Sequence, residues 1–290
     1  MPVTHFWIND EVVPLVDAKV SVLDHGFTVA DGVFETLLVS NGQAFAVDRH
    51  LQRLTKSALG LGLAAPNLSK VASGIAQVLE VNSKIDFGRM RVTLTSGSGP
   101  LGSDRTSEDT TLVISLAEQA PWPESTTVLL VPWTRNENSP LAGLKTTSYA
   151  ENVFALAAAK AHGFSEAIIC DMSGRLCEGT GSNIFLVIDD QIVTPSEESG
   201  LLRGITRDLV IELARDAGLA VTERDVDPAE LWNAEEVFIT SSTRDIHPVS
   251  EVAKLDTDGN ITERRSLDPG LLTEKLGSIF KSHRAENLNP

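Results

Sequence analysis

Apolar residues recur with two different periods along this chain, and the changes of period mark its elements. Extended runs come first, at 6–8 and 33–39, the second passing through Asn41-Gly42 into 44–47. Asn-Gly between two extended runs signals a hairpin, because both residues tolerate the positive φ of a tight turn. The period then lengthens. Leu51, Leu54, Ala58 and Leu61 share one helical face, and Asp48 is placed to cap that helix. A second helix is predicted over 68–81, and strands near 89–95 and 110–116. The polar stretch between those strands, SGSGPLGSDRTSED (96–109), reads as a long loop of the kind that shapes a site.

The pattern breaks at Ala120-Pro121-Trp122-Pro123. A linker over 120–125 would divide the chain into a small N-terminal α/β domain (1–119) and a larger domain (126–290). In the latter, an apolar run restarts at 127–132. Ser148-x-x-Glu151 resembles a capping box for an alanine-rich helix ending at Gly163. Strands are predicted at 166–170, 184–188 and 191–194, then a helix over 205–217 stopping at Gly218, strands at 219–223 and 236–240, and a helix near 268–282. The tail SHRAENLNP is expected to fray. Helices and strands mix without strict alternation, which predicts an α+β fold. There is no internal repeat.

Composition narrows the function. An apolar fraction of 42% supports a sizeable core. Twenty-four basic against 40 acidic residues give a formal charge of −16, which argues against nucleic acid or an anionic membrane as partner. No apolar run reaches the length of a membrane span. The N-terminal stretch carries His5, Asp10, Glu11, Asp17 and Lys19 rather than an apolar signal core, so the cytoplasm is expected. Cys170 and Cys177 fit neither a disulfide framework nor a metal motif and read as buried free thiols. The histidines at 5, 25, 50, 162, 247 and 283 lack ligand spacing, so no metal is expected.

The candidate chemistry centres on Lys145, alone in the uncharged stretch NSPLAGLKTTSYA (138–150). Poor solvation favours the neutral, nucleophilic form of an amine, which suits Schiff-base chemistry. Tyr149, the only tyrosine, lies four residues on. Glu178 sits in RLCEGTGSNIFLVI (175–188), between a short strand-like run and a glycine-bearing turn. Gly204-Ile205-Thr206 opens a helix with apolar residues at 205, 209, 210 and 213, and a helix start offers N–H groups and a positive dipole end to a phosphate. VFITSST (237–243) is an apolar strand ending in hydroxyls.

These segments, in this order, resemble the class IV aminotransferases, also called fold-type IV pyridoxal-phosphate enzymes. The motifs are DGVFETLLV (31–39), HLQRL (50–54), GLKTTSYAEN (143–152), CEGTGSNIF (177–185), LLRGITRDLV (201–210) and FITSSTRDIHPV (238–249). The resemblance implies a two-domain D-amino-acid-aminotransferase-like fold, pyridoxal 5'-phosphate as cofactor, and a homodimer whose neighbouring chains complete each other's sites. It implies that Lys145 forms the Schiff base and then shuttles the substrate's α proton. Glu178 bonds the pyridine nitrogen and keeps it protonated. Arg53, the N–H of Ile205, Thr206 and Ser242 hold the phosphate, and Leu202 packs on one face of the ring. Tyr149 belongs near the phenolic oxygen and Glu35 near Lys145. Without the resemblance, Arg53 reads as a solvated helix arginine, Arg49 as surface, and His50 as a packing or capping residue.

Within the family the motifs point in several directions. Branched-chain members place the tyrosine five residues after the lysine and glycine after the Phe-Glu pair, whereas this chain has a spacing of four and Phe34-Glu35-Thr36. D-amino-acid members carry tyrosine at the position of Phe34, and an arginine and a histidine in the long loop to trap the carboxylate. Here Leu101 and Ser103 stand near those places, with Arg105 as the substitute cation, so Phe34, Leu101 and Arg105 are the substrate-binding candidates. Aminodeoxychorismate lyases share the DGVFETLLV style of opening and the spacing of four. Transamination between an amino acid or amine donor and a keto acid is the reading adopted. A lyase releasing pyruvate and 4-aminobenzoate is the alternative. A catalytically silent cofactor-binding protein on this fold is the third, against which Lys145 and Glu178 both speak.

Overall fold

The computed structural model describes residues 3–105, 109–268 and 270–290. Residues 106–108, in the expected 96–109 loop, and 269, in the stretch expected as the C-terminal helix, lie outside the described residues. The chain forms two compact units. One comprises the chain up to Pro121 together with Leu144–Ser148 and Asn287–Pro290; the other comprises Trp122–Gly143 and Tyr149–Glu286. Lys145 therefore groups with the N-terminal unit.

That unit is built on one antiparallel sheet. Its strands are β1 (His5–Ile8), β2 (Glu11–Pro14), β3 (Gly32–Ser40), β4 (Gln43–Ala44), β5 (Phe87–Thr95) and β6 (Thr111–Glu118), ordered β2-β1-β6-β5-β3-β4. Its helices are the short α1 (His25–Thr28), then α2 (Val47–Gly60) and α3 (Leu68–Val81). The β3–β4 turn is Asn41-Gly42, with φ of 51° and 70°, as the hairpin signal requires. Side chains alternate across β3. Val33, Leu37 and Val39 enter one core with Leu51, Leu54 and Ala58 of α2, Val71, Ile75 and Val78 of α3, and Met90, Val92 and Leu94 of β5. Each fully buried aliphatic side chain there contributes about 1.5–3 kcal/mol. Glu35 falls in this same apolar row, a carboxylate aimed at α2.

The start of α2 differs from expectation. Asp48 is not its cap. The N-cap is Ala46, in the left-handed region with φ 54°, and no side chain caps the helix. The chain end serves instead: Ala46 N donates to Leu288 O (2.8 Å), Asp48 N to Asn289 Oδ1 (2.9 Å) and Arg49 Nε to Pro290 O (2.9 Å). The C-terminal tail is thus tied down rather than frayed, because these groups satisfy the orphan donors of a helix start.

The second unit contains β7 (Thr126–Arg135), α4 (Ala150–Ala161), β8 (Glu166–Asp171), β9 (Leu176–Gly179), β10 (Asn183–Ile188), β11 (Gln191–Pro195), α5 (Ile205–Asp216), β12 (Val221–Arg224), β13 (Glu236–Ser241), β14 (Asp245–Leu255), β15 (Ile261–Ser266) and α6 (Leu271–Glu286). The strands form a mixed nine-stranded sheet in the order β12-β11-β10-β13-β14-β7-β8-β9, with β15 paired to β14. The β7–β8, β7–β14 and β11–β12 pairs are parallel. Both faces of β7 are covered. Val128 and Leu130 join Ile168, Ile184, Val237 and Val252, while Leu129 and Val131 pack with Ala155 and Ala159 of α4 and with Phe164. A strand buried on both faces reads as a continuous apolar run, as this one does.

The predicted capping box at the start of α4 does not form. Tyr149 is the N-cap, no side chain caps the helix, and Ser148 is exposed. Both cysteines are free thiols; Cys177 is buried, but Cys170 only half-buried. Among the described residues, no helix is long and apolar enough to cross a membrane.

Candidate active site

In the N-terminal unit the segment around Lys145 lies along the first half of β3 as a short added strand. Phe34 N donates to Lys145 O (2.9 Å), Val33 and Thr146 form an antiparallel bridge, and Thr147 N donates to Gly32 O (2.8 Å). From α2, Ser57 Oγ accepts the Lys145 N–H (3.1 Å). The backbone of Lys145 is thus held at both its N–H and its carbonyl. Its half-buried side chain places Nζ 4.4 Å from the centroid of the buried Phe34 ring. The Arg91 guanidinium lies 3.7 Å from the same centroid, and its Nε donates to Thr93 Oγ1 (3.0 Å). Arg91 is on β5, whose Met90, Val92 and Leu94 face the core; its alternate position puts it on the opposite face. From sequence it reads as one more solvent-facing strand residue, and no signal singled it out.

Glu35 is fully buried and accepts three hydrogen bonds. Arg53 donates from Nε to Oε1 (2.8 Å) and from Nη2 to Oε2 (2.7 Å), and His50 Nδ1 lies 2.6 Å from Oε2. Burial alone raises the carboxyl of Glu35. The charge and hydrogen bonds of Arg53, followed by those of His50, outweigh it and hold the group down at about 2. The His50 ring is pushed below its ordinary range, chiefly by burial, with Glu35 opposing. The bidentate grip fixes the plane of the Arg53 guanidinium. His50 therefore packs and bonds, and Glu35 orients an arginine.

Of the loop candidates, Leu101 is 83% exposed. Arg105 is engaged by Asp31 through Nε (2.7 Å) and Nη2 (2.5 Å), and it donates to the Gly62 and Leu61 carbonyls beyond α2 (both 3.0 Å). Its fork ties the loop down.

In the second unit Glu178 is the penultimate residue of β9, with its side chain 10% exposed. Its Oε2 accepts the N–H of Leu202 (3.0 Å), and Arg135 Nη2 lies 3.3 Å from Oε1. In the sequence Arg135 looks like an ordinary strand-end cation. Asn183 Nδ2 donates to Leu202 O (2.9 Å), so the half-buried Leu202 is held at both its N–H and its carbonyl. Helix α5 starts three residues later. Its N-cap Gly204 leaves the helix without a side-chain cap, and Ile205 and Thr206 are buried. A Cβ on Gly204 would lie 2.1 Å from Asn183 Oδ1, so a larger residue there would displace the Asn183 side chain. On β13, Thr240 Oγ1 is buried with no hydrogen-bond partner among the described residues, and Ser242 follows the strand end, half-buried. Tyr149 is half-buried at the start of α4.

The model of the amino-transferase class IV family matches residues 32–252, and this chain belongs to that family. It is 33% identical over 285 residues to a Methanocaldococcus jannaschii protein provisionally named a branched-chain-amino-acid aminotransferase, covering 97% of this chain and 96% of that one. It is 29% identical over 283 residues to a D-alanine aminotransferase of Bacillus licheniformis, covering 94% and 95%. The branched-chain aminotransferase of Thermoproteus uzoniensis, crystallised with norvaline, has a TM-score of 0.87 at 27% identity, covering 96% of this chain and 93% of that one. The protein is a class IV aminotransferase with the two-domain fold of that family.

Proposed function

We propose that this aminotransferase uses pyridoxal 5'-phosphate and moves an amino group between an α-amino acid with an apolar side chain and a keto acid. The observation that carries the reading is Lys145, a half-buried amine beside a buried aromatic ring that also faces a guanidinium.

The donor set suits the cofactor. A pyridine nitrogen calls for a buried carboxylate, and Glu178 is one, itself held by a backbone N–H and an arginine. A phosphate calls for N–H donors, hydroxyls and a cation. The uncapped start of α5 with Ile205 and Thr206, the buried hydroxyl of Thr240 with Ser242 two residues on, and the oriented guanidinium of Arg53 are of those kinds. Leu202 presents an apolar side chain for one face of the ring, and Tyr149 a hydroxyl for the phenolic oxygen. When bound, the cofactor supplies an electron sink for the carbon next to the transferred nitrogen.

The chain's own part is positioning and proton transfer. Lys145 Nζ is the attachment point, then the base that takes the α proton and the acid that returns it. Glu178 holds positive charge at the ring nitrogen. Arg91 pairs with the carboxylate of amino acid and keto acid alike, a task the loop reading gave to Arg105, whose fork Asp31 engages. Phe34 offers apolar surface beside the reacting amine. A homodimer fits the exposed apolar side chains between 15 and 29, where Val16, Val22 and Phe27 are 80%, 75% and 74% exposed.

Spectroscopy tests the reading. Loaded protein should be yellow. Leucine, norvaline or alanine added without a keto acid should bleach the band, and a keto acid should restore it. Sustained conversion of aminodeoxychorismate to pyruvate and 4-aminobenzoate, with no bleaching by any donor of either hand, would replace this reading with the lyase.

A further inference from the structure

We infer that Glu166 is a positioning residue for the ring-nitrogen carboxylate Glu178; the inference rests on the cofactor reading above. Glu166 begins β8 and is 2% exposed. A carboxylate buried among strands is costly unless charge-paired and hydrogen-bonded, so its partners show what it is for. All lie in the second unit. Its Oε1 accepts the hydroxyl of Thr180, the N–H of Thr180 (3.2 Å) and the N–H of Ala167 (3.1 Å). Its Oε2 accepts the Ser182 hydroxyl (3.1 Å), and Arg244 Nη2 lies 3.7 Å away.

Three of these contacts, from the Thr180 N–H, the Thr180 hydroxyl and the Ser182 hydroxyl, come from the turn between Glu178 and Asn183. Gly179 N donates to Ser182 O (2.7 Å), and a Cβ on Gly179 would lie 2.3 Å from Ser182 Oγ and 3.3 Å from Glu166 Cγ. The turn is wrapped tightly round the carboxylate. From it the bonds run back to Glu178 along two routes. On one side, the Thr180 carbonyl accepts from Asn152 Nδ2 (2.8 Å), Asn152 Oδ1 accepts from Arg135 Nη1 (3.4 Å), and Arg135 Nη2 reaches Glu178 Oε1. On the other, Asn183 follows Ser182 directly, Asn183 Nδ2 donates to Leu202 O, and Leu202 N donates to Glu178 Oε2. The two routes close a ring that grips Glu178 by both oxygens, with Glu166 at the far side. Arg244 adds a link to the turn after β13, where Ser242 lies: its N–H donates to Ser241 O (3.1 Å).

Replacing Glu166 by glutamine keeps the shape, removes the charge and turns an amide NH2 toward hydroxyl and N–H donors. The Thr180–Ser182 turn then loses one of its two acceptor oxygens, and Glu178 loses its fixed direction. We expect Glu166→Gln to weaken pyridoxal phosphate binding about tenfold to a hundredfold, the loss of a charge-assisted hydrogen bond. The discriminating readout is the ring nitrogen itself. In protein saturated with nitrogen-15-labelled pyridoxal phosphate, the ring nitrogen should lose its proton at lower pH than in the wild type, because a misdirected carboxylate stabilises the protonated form less. Thr180→Val, which removes one hydroxyl isosterically, should move the same titration in the same direction by less, and it decides the matter should Glu166→Gln fail to fold. Titrations unchanged in the folded variants, whatever their melting temperatures, would overturn the inference and leave the cofactor reading standing. Failure of the wild type to take up pyridoxal phosphate would end both.

Discussion

Glu35→Gln is the perturbation whose size the structure gives most directly. Glu35 is a charge in an otherwise apolar row of β3, balanced by two hydrogen bonds from Arg53 and one from His50. Glutamine has the same shape, but its NH2 must face one of these donors, and it leaves the Arg53 charge, 10% exposed, without its counterion. Removing one partner of a buried pair costs about 3–5 kcal/mol. Titration gives a similar figure. With the native carboxyl at about 2 against an ordinary 4.5, the unfolded chain binds a proton between those pH values that the native chain does not. The stabilisation is complete above 4.5, is lost as pH falls toward 2, and amounts to about 3 kcal/mol. His50, held below 6.5 chiefly by burial, acts in the same direction: its contribution begins to fall once the pH drops below 6.5. Thermal melts by circular dichroism, with and without pyridoxal phosphate, should show the variant melting roughly 10 °C below the wild type near neutral pH. The gap should narrow in acid as the wild type loses its advantage. A variant as stable as the wild type near neutrality, or a gap that stays constant into acid, would show that the buried Glu35–Arg53 pair carries no such energy.

Three further substitutions probe the proposed roles. Glu178→Gln should retain the cofactor but slow single-turnover bleaching by an amino donor about 10²- to 10³-fold; wild-type bleaching would remove Glu178 from the mechanism. Gly204→Ala would set a Cβ 2.1 Å from Asn183 Oδ1 and dislodge the side chain that holds Leu202, so fluorescence titration should show pyridoxal phosphate binding about tenfold weaker. Unchanged affinity would contradict the reading of the α5 start. Arg91→Leu should raise KM for amino and keto acids at least about tenfold with little change in melting temperature; an unchanged KM would return the carboxylate to another cation.

What the sequence made legible was mostly local. Helix α3 runs from Leu68 to Val81, as predicted, because its apolar spacing is regular and Asn67 caps it, accepting from Lys70 N. Strand β10 and helix α5 begin within one residue of expectation, since apolar runs and Gly204 mark them. The errors arose where distant chain supplies what a local residue seemed to. Asp48 and Ser148 look like caps, but the chain end satisfies the start of α2 and Tyr149 occupies the cap of α4. Strand β15, ITERRS, has too little apolar content to be seen without its partner β14. Among the candidate residues, Lys145 and Glu178 were visible through isolation and motif. The charges that lie around them were not. Arg91, Arg135 and Glu166 are ordinary strand charges until pairing register and burial bring them to Phe34, Glu178 and the Thr180–Ser182 turn.

Whether Lys145 is the reactive amine of a pyridoxal-phosphate aminotransferase is tested by borohydride reduction of the loaded protein followed by peptide mass mapping. The yellow band should disappear and one covalent cofactor per chain should appear, on the peptide containing Lys145 and absent from Lys145→Ala. Cofactor recovered on another lysine, or equal labelling of Lys145→Ala, would contradict that role.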